Sequence, residues 1–150
     1  NLPKNLIIYE KPKEYKDVFF KNRSDKDINL IDYDGKLLLM NFWATWCEPC
    51  KEEMPSLDKL ANDLNFESLK ILPINIGQEK INKIEDFYKK NNIENLDIFY
   101  DTDVRLAKKF LLRGVPTTLI IGKEGGEVAR IVGSIDFQDE NFKTWLKTFD

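Results

Sequence analysis

The sequence predicts an α/β fold in which a central mixed β-sheet is flanked by helices. Residues 37–43, LLLMNFW, form a continuous apolar run of strand length, as expected for a strand covered on both faces. Apolar residues then recur at three- and four-residue spacing over residues 48–64, which is the pattern of an amphipathic helix. Further apolar runs and helical spacings alternate to the end of the chain, and this alternation is typical of a sheet with helices packed on it.

The core elements are predicted in the order β-α-β-α-β-α-β-β-α. The strands are predicted at residues 37–43, 69–76, 96–100, 117–121 and 127–132, and the helices at residues 48–64, 80–91, 104–110 and 138–149. Pro55 lies inside the first helix and predicts a kink rather than an end, because the apolar spacing continues past it. Residues 122–126, GKEGG, predict a hairpin turn between the last two strands.

The first 35 residues have a different pattern. Short apolar clusters (LIIY, VFF and INLI) alternate with Lys, Asn and Asp, which predicts short strands and loops leading to a turn at residues 33–36. A chain of 150 residues suits one domain with a substantial core. We therefore predict a single domain over residues 1–150, with an N-terminal β-rich extension at 1–35 and a core at about 36–149.

Composition and charge exclude several classes of protein. The 23 basic and 26 acidic residues are scattered, the net charge is −3, and no basic stripe indicates a nucleic-acid partner. The apolar runs are far shorter than the roughly 20 residues of a membrane helix, and the first residues show no apolar signal core. Because the chain does not begin with Met, we expect a processed form from which an upstream signal or anchor has been removed.

Both cysteines lie in one motif, Trp46-Cys47-Glu48-Pro49-Cys50, between the predicted central strand and the first helix. At a helix N-terminus, unpaired N–H groups and the helix dipole favour a thiolate, which is the nucleophile of thiol-disulfide exchange. Two alternatives remain open. A structural disulfide across so short a loop stabilises little, and a zinc site is weakly indicated because the chain has no histidine and no second cysteine pair. We expect no metal and no cofactor besides a redox-active disulfide.

Two motifs carry a resemblance to a known family. Residues 42–55, FWATWCEPCKEEMP, are followed by Gly114-Val115-Pro116-Thr117-Thr118, and this pair of motifs resembles the thioredoxin superfamily. Within it the chain looks most like the membrane-anchored, periplasm-facing TlpA/ResA group, and residues 75–77 and 131–133 look more like TlpA. The resemblance covers about residues 30–149 and implies a thioredoxin-like fold.

The resemblance also implies roles for individual residues. Cys47 corresponds to an exposed attacking thiol, and Cys50 to a more buried thiol that resolves the mixed disulfide. Pro116 corresponds to a cis-proline facing the disulfide, where backbone is exposed for a substrate strand. Val115 is then expected to lie against the sulfur pair and to bias the choice of partner. Trp46 is expected to be an exposed aromatic side chain beside the first cysteine.

Neighbouring residues are expected to tune the two thiols. The Glu48 carboxylate opposes the helix dipole and should make Cys47 less acidic than in a strongly oxidising relative, unless Glu48 is simply a solvated acid at the helix start. Pro49 fits an early helical position, where its missing N–H does no harm. Trp43 is expected in the core, since apolar residues surround it.

Two acidic positions distinguish branches of the family. The ResA branch has an acid linked to the active site at the position of Glu53, although Glu52 and Glu53 together also fit a solvated helix face. A second acid of that branch is replaced by Gln78, which cannot exchange a proton at accessible pH. Glu79 is adjacent but is expected to point differently. Gln78 therefore favours TlpA over ResA.

The function implied is a thiol-disulfide oxidoreductase that reduces specific protein disulfides in the bacterial periplasm. Such a protein is expected to be a monomer, anchored through an N-terminal segment absent from this chain and recycled by a membrane electron donor. TlpA-like clients are copper-handling proteins of cytochrome oxidase assembly. The alternatives are a cytochrome c maturation reductase of the CcmG or ResA kind, acting on apocytochrome c, a copper-binding chaperone, and a redox-inert binding module.

Overall fold

The computed structural model describes residues 1–150. The strands are β1 (Leu6–Lys13), β2 (Phe19–Asn22), β3 (Asp27–Asn29), β4 (Leu37–Trp43), β5 (Leu69–Asn75), β6 (Phe99–Tyr100), β7 (Thr117–Ile121) and β8 (Glu127–Val132). The helices are α1 (Glu48–Ala61), α2 (Ile81–Lys90), α3 (Arg105–Lys109) and α4 (Glu140–Lys147). From β4 onward the elements follow the predicted order. None of the four helices has the length and apolar character needed to span a bilayer.

All eight strands form one sheet in the order β1-β8-β7-β4-β5-β6-β2-β3. The β4–β5 and β5–β6 pairs are parallel and the others are antiparallel, so the predicted mixed sheet is confirmed. Every residue of β4 is buried, as its continuous apolar run predicts. Because β4 and β5 are parallel, their carboxyl ends meet at the edge of the sheet where α1 begins.

The two faces of the sheet bury separate hydrophobic clusters. Side chains alternate along β4, so that Leu39 and Trp43 face one cluster while Met40 and Phe42 face the other. The first cluster is covered by α1, α2 and α4, and it contains both cysteines. The second is covered by α3 and by residues of the N-terminal extension. The helices therefore flank both faces, as predicted.

The N-terminal extension contributes to both edges of the sheet. β1 pairs with β8 at one edge, and β2 pairs with β6 near the other. Between them, the Tyr15 hydroxyl donates a 2.7 Å hydrogen bond to Glu127, whose buried carboxylate also forms a 2.7 Å ion pair with Arg130. This contact ties the segment that crosses the sheet to β8.

The structure differs from the prediction at several elements, including α4, which runs over Glu140–Lys147 rather than residues 138–149. α1 continues through Pro55 but ends at Ala61 rather than residue 64, and Leu64 is exposed beyond it. The strand expected at 96–100 is only two residues long, because the carbonyl of Asp97 accepts a hydrogen bond from the Tyr88 hydroxyl rather than from a strand. Residues 30–33 form a 3-10 helix, since Asn29 caps it with its side chain.

Candidate active site

The redox motif lies where β4 passes into α1. Cys47 is the N-cap of α1, and its Sγ accepts a 3.2 Å hydrogen bond from the backbone N–H of Cys50. The two cysteines form a disulfide with their Cα atoms 5.3 Å apart. Cys47 is 5% exposed and Cys50 is fully buried, so Cys47 is the more accessible of the two, as predicted. Cys47 is nevertheless more buried than expected for an exposed thiol.

The loop between α3 and β7 lies against Cys47. The Val115–Pro116 peptide bond is cis, as the resemblance implies, and the carbonyl oxygen of Val115 is 3.6 Å from Sγ of Cys47. The Thr117 hydroxyl donates a 2.8 Å hydrogen bond to the Gly114 carbonyl and holds the loop from within. The backbone of Val115 is therefore placed where it can meet a chain bound to Cys47.

The remaining residues of the motif surround the sulfur pair. Trp46 is exposed and Trp43 is fully buried, as predicted for each. Glu48 and Pro49 are exposed in the first turn of α1, so Glu48 is a solvated acid close to Cys47. Whether Glu48 tunes the thiol stays a prediction.

Two contacts act on the reduced Cys47 in opposite directions. The N–H of Cys50 donates to Sγ and stabilises the thiolate together with the helix dipole. The carbonyl of Val115 can accept a hydrogen bond only from the protonated thiol, which favours the neutral form.

Glu53 is buried on the inward face of α1, one turn after Cys50. The alternative that both glutamates lie on a solvated helix face therefore holds only for Glu52, which is exposed. Its Oε2 accepts a 2.9 Å hydrogen bond from Nδ2 of Asn41, and its Oε1 accepts a 3.3 Å bond from the N–H of Ile135. Burial raises the pKa of Glu53 to about 7, although both hydrogen bonds lower it. Glu53 can therefore hold or release a proton near neutral pH, one turn along α1 from Cys50.

Asn41 is a site residue that sequence reasoning missed. Its Nδ2 also donates a 2.9 Å hydrogen bond to the Thr118 hydroxyl, while its buried Oδ1 has no partner. Asn41 thus connects the acid on α1 to the strand that follows Pro116. The signal was available, because Asn41 is the one polar residue in the apolar run of residues 37–43.

Glu79 is a second residue whose contacts with the redox motif were not predicted from the sequence. Its Oε1 accepts hydrogen bonds from the Thr45 N–H at 2.8 Å and from Asn75 Nδ2 at 3.0 Å, and its Oε2 accepts one from the Thr45 hydroxyl. Lys83 forms a 3.1 Å ion pair with this carboxylate, which is only 4% exposed. Glu79 was expected to point differently from the acid of the ResA branch, yet its carboxylate contacts Thr45 beside the redox motif, whereas the Gln78 side chain accepts a hydrogen bond from the Asp103 N–H.

The turn that aims Glu79 depends on Gly77. A Cβ at this position would lie 2.6 Å from Oε1 of Glu79 and 3.0 Å from Cβ of Ala44. The missing side chain therefore lets the carboxylate approach the segment that leads to Cys47. Burial opposes ionisation of Glu79, but the bonds from Thr45, Asn75 and Lys83 outweigh it and lower its pKa.

We expect Glu79→Ala to lower the free energy of unfolding by about 2 kcal/mol, because hydrogen bonds to a charged group are lost and Thr45 is left without partners. The loss should be largest above the ordinary glutamate pKa and should shrink in acid, since the lowered pKa stabilises the fold only while the carboxylate is ionised. Urea unfolding of the oxidised protein at several pH values measures it. Glu94→Ala, at an exposed glutamate, is the control, and equal effects of the two changes would contradict the role of Glu79.

Comparison with known families agrees with this geometry. A sequence model of the AhpC/TSA family matches residues 13–130, a range that contains Cys47, Cys50 and Pro116. The chain belongs to the AhpC/TSA family. Within this thioredoxin-like family, the chain is 32% identical over 115 residues to the thiol-disulfide oxidoreductase ResA of Bacillus subtilis. The match covers 77% of this chain and 63% of the relative, so the chain spans less than two thirds of that protein.

Solved structures confirm the thioredoxin-like fold. A DsbF homologue from Corynebacterium diphtheriae superposes with a TM-score of 0.77 at 25% identity, covering 91% of this chain and 88% of its own. An exposed lipoprotein thioredoxin from Streptococcus pneumoniae superposes with a TM-score of 0.72 at 27% identity, covering 88% and 98%. The predicted superfamily is therefore confirmed, whereas the finer prediction of a TlpA-like member stays a prediction.

Proposed function

We propose that this AhpC/TSA-family protein is a thiol-disulfide oxidoreductase that reduces specific protein disulfides in the bacterial envelope. The observation that carries the proposal is the Cys47–Cys50 disulfide at the start of α1, with the Val115 carbonyl 3.6 Å from the more accessible sulfur. A nucleophile, a resolving thiol and a backbone surface for the substrate are thus in one place. Relatives named thiol-disulfide oxidoreductases support the same chemistry.

The reaction begins with both cysteines reduced. The Cys47 thiolate attacks one sulfur of a client disulfide, forming a mixed disulfide and releasing the other client sulfur as a thiolate, which takes up a proton. Cys50, as a thiolate, then attacks Sγ of Cys47 and releases the second client thiol. Two electrons pass to the client, and the Cys47–Cys50 disulfide is formed. A membrane electron donor would reduce this disulfide again.

Glu53 supports the second step of this cycle. Cys50 is fully buried, so its thiol needs an acceptor for its proton before it can attack. Glu53 lies one turn along α1 from it, and its pKa of about 7 suits proton uptake near neutral pH. Asn41 and the Ile135 N–H hold the carboxylate in place.

The relatives and the redox pair support an envelope location. The pneumococcal structural relative is described as an exposed lipoprotein, and the family resemblance implies a membrane anchor upstream of residue 1. Exposed disulfides persist in such compartments and are rare in the cytosol, so a reductase has substrates there.

Two client classes fit this chemistry: copper-assembly proteins and apocytochromes c, both of which need paired cysteines kept reduced. Gln78 favoured the copper-assembly class from sequence. The buried Glu53, at the position of the acid in the ResA branch, favours apocytochrome c. Glu79 also places a carboxylate beside the redox motif despite Gln78, which weakens the argument for TlpA.

The reduction potential tests the proposed direction. We expect equilibrium titration of the purified protein against a dithiothreitol couple to give a value near that of thioredoxin, about −270 mV. The opposing contacts on Cys47 are the reason, since the Cys50 N–H favours its thiolate and the Val115 carbonyl favours its thiol. Quenching with a thiol-alkylating reagent and mass spectrometry counts the free thiols at each point. A potential near that of DsbA, about −120 mV, would make the protein an oxidant and overturn the proposal.

A further inference from the structure

A groove of about 490 Å³ lies on the sheet face beside the loop that carries Pro116. Its floor is formed by β1 and β8, including Ile7 and Val132, and its wall by Leu111 and Arg113 from the segment that joins α3 to β7. We call this surface the client groove. None of its lining residues takes part in the thiol chemistry described above.

The client groove begins at the loop that faces the disulfide. Val132 pairs with Thr117, and the N–H of Gly133 donates a 2.9 Å hydrogen bond to the carbonyl of Pro116. On the other wall, Arg113 precedes by two residues Val115, whose carbonyl lies 3.6 Å from Sγ of Cys47. The groove lies on the face of the sheet that carries α3, opposite the cluster that contains the cysteines, so a polypeptide joined to Cys47 reaches it by passing over the Pro116 loop.

Three apolar side chains in the client groove are exposed. Ile7 and Val132 are about half exposed, and Leu111 is 80% exposed. Leu111 has a φ of +53° at the position just after α3, where the helix ends with N–H bonds from Leu111 and Leu112 back to Lys108 and Ala107. Glycine is the usual residue at this left-handed position. A leucine there carries backbone strain and gains no burial, so its side chain is available to a partner.

The charge of the client groove is positive. Lys13, Arg113 and Arg130 line it, and no acidic residue does. The buried Glu127 compensates Arg130 at 2.7 Å, but Lys13 and Arg113 take part in none of the nine salt bridges. Lys13 and Arg113, which form no ion pair, lie beside apolar side chains. The groove therefore complements a polypeptide segment that has both acidic and apolar residues.

We propose that the client groove binds the polypeptide segment next to the reactive cysteine of a client, and that it selects segments in which an apolar residue is flanked by acidic ones. Leu111, Ile7 and Val132 contact the apolar residue, and Arg113 and Lys13 attract the carboxylates. The inference rests on the proposed reductase function and adds the class of client sequence that it prefers.

Synthetic peptides test the selection. Each contains one cysteine joined by a disulfide to the chromogenic thiol 5-thio-2-nitrobenzoate, with a Leu flanked by two Glu in one peptide and by two Lys in the other. The reduced Cys47 thiolate attacks the peptide sulfur and releases the coloured thiolate, and Cys50 then releases the peptide thiol. We expect the second-order rate constant for release of the coloured thiolate by the pre-reduced protein, in a single turnover, to be about tenfold higher for the acidic peptide at low ionic strength. The preference should shrink as salt is added.

Matched variants locate the preference. We expect Arg113→Glu to remove or reverse the acidic preference and Leu111→Ser to lower the single-turnover rate constant about fivefold for both Leu-containing peptides. Lys123→Glu and Leu64→Ser make the same changes of charge and polarity at exposed positions that do not line the groove, and they should leave the preference unchanged. The same compound on free cysteine reports basal exchange, which neither groove variant should change.

Three results would overturn the proposal that the client groove selects acidic and apolar segments. One is an equal rate for acidic and basic peptides while the free-cysteine compound is turned over, which leaves the reductase function intact. Another is an effect of Lys123→Glu equal to that of Arg113→Glu, which would assign the preference to net charge. A third is sedimentation showing a dimer that Leu111→Ser dissociates, since a second copy would then occupy the groove. No turnover of any compound would instead overturn the reductase function itself.

Discussion

Cys47→Ser is expected to lower the rate of client disulfide reduction by about three orders of magnitude or more, because a hydroxyl cannot replace the attacking thiolate. Cys50→Ser is expected to leave the first attack intact and to stop the reaction at the mixed disulfide through Cys47. The reason is positional: Sγ of Cys47 is the more accessible sulfur and lies by the Val115 carbonyl, whereas Cys50 is fully buried.

Mass spectrometry of the two variants after incubation with a peptide disulfide measures this difference. Cys50→Ser should carry one covalently attached peptide that dithiothreitol removes, and Cys47→Ser should carry almost none. Affinity purification of Cys50→Ser from cells should also recover covalent client proteins. Equal labelling of both variants, or labelling of Cys47→Ser alone, would exclude Cys47 as the attacking residue.

Glu53→Gln is expected to remove a pH dependence of stability worth about 3 kcal/mol. Burial raises the pKa of Glu53 from 4.5 to about 7, so the folded protein binds this proton more tightly than the unfolded chain does. The stabilisation is therefore complete below about pH 4.5 and is lost as the pH rises through about 7. One pKa unit corresponds to about 1.4 kcal/mol, which sets the size of the effect.

Glutamine at this position stays neutral and keeps the shape of the side chain. Its carbonyl oxygen can accept the hydrogen bond from the Ile135 N–H. In the wild type, Oδ1 of Asn41 has no hydrogen-bond partner. A rotation of the Asn41 amide by 180° would let this oxygen accept a hydrogen bond from the glutamine amide. We therefore expect the variant to gain about 3 kcal/mol over the wild type between about pH 4 and pH 8.

Urea unfolding of the oxidised proteins across this pH range measures the difference, since disulfide-bonded cysteines do not titrate. Glu52→Gln, one residue earlier and exposed, is the matched control and should show no such trend. A constant difference between wild type and Glu53→Gln at all pH values would contradict a buried carboxyl with a raised pKa.

Local pattern was sufficient for most of the core. The apolar run at residues 37–43 predicted a strand buried on both faces, and β4 is buried throughout. The spacing after it predicted α1 past Pro55, because a periodic apolar face outweighs one missing N–H. The end of α1 was missed because Leu64 extends the apolar pattern although nothing packs on it.

The active site was predictable where its residues are adjacent in the chain. Cys47, Cys50 and Trp46 follow from one motif, and Val115 and Pro116 follow from a second motif that matched the family. The sequence identified Glu53 as a candidate site residue but did not predict whether its side chain is buried. A charge pattern does not show whether a glutamate faces solvent or the core. Its burial results from the contact of α1 with Asn41 and Ile135, which are distant in sequence.

The chain alone therefore predicted the redox motif and the order of the core elements, because both depend on residues a few positions apart. Tertiary structure decided which distant groups meet. It placed Asn41 against Glu53, aimed Glu79 at Thr45 through the turn at Gly77, and brought β1 beside β8 next to the Pro116 loop. Burial and hydrogen bonding between such segments arise only when the strands and helices pack together. These contacts set the proton affinities of Glu53 and Glu79 and form the client groove near the Pro116 loop.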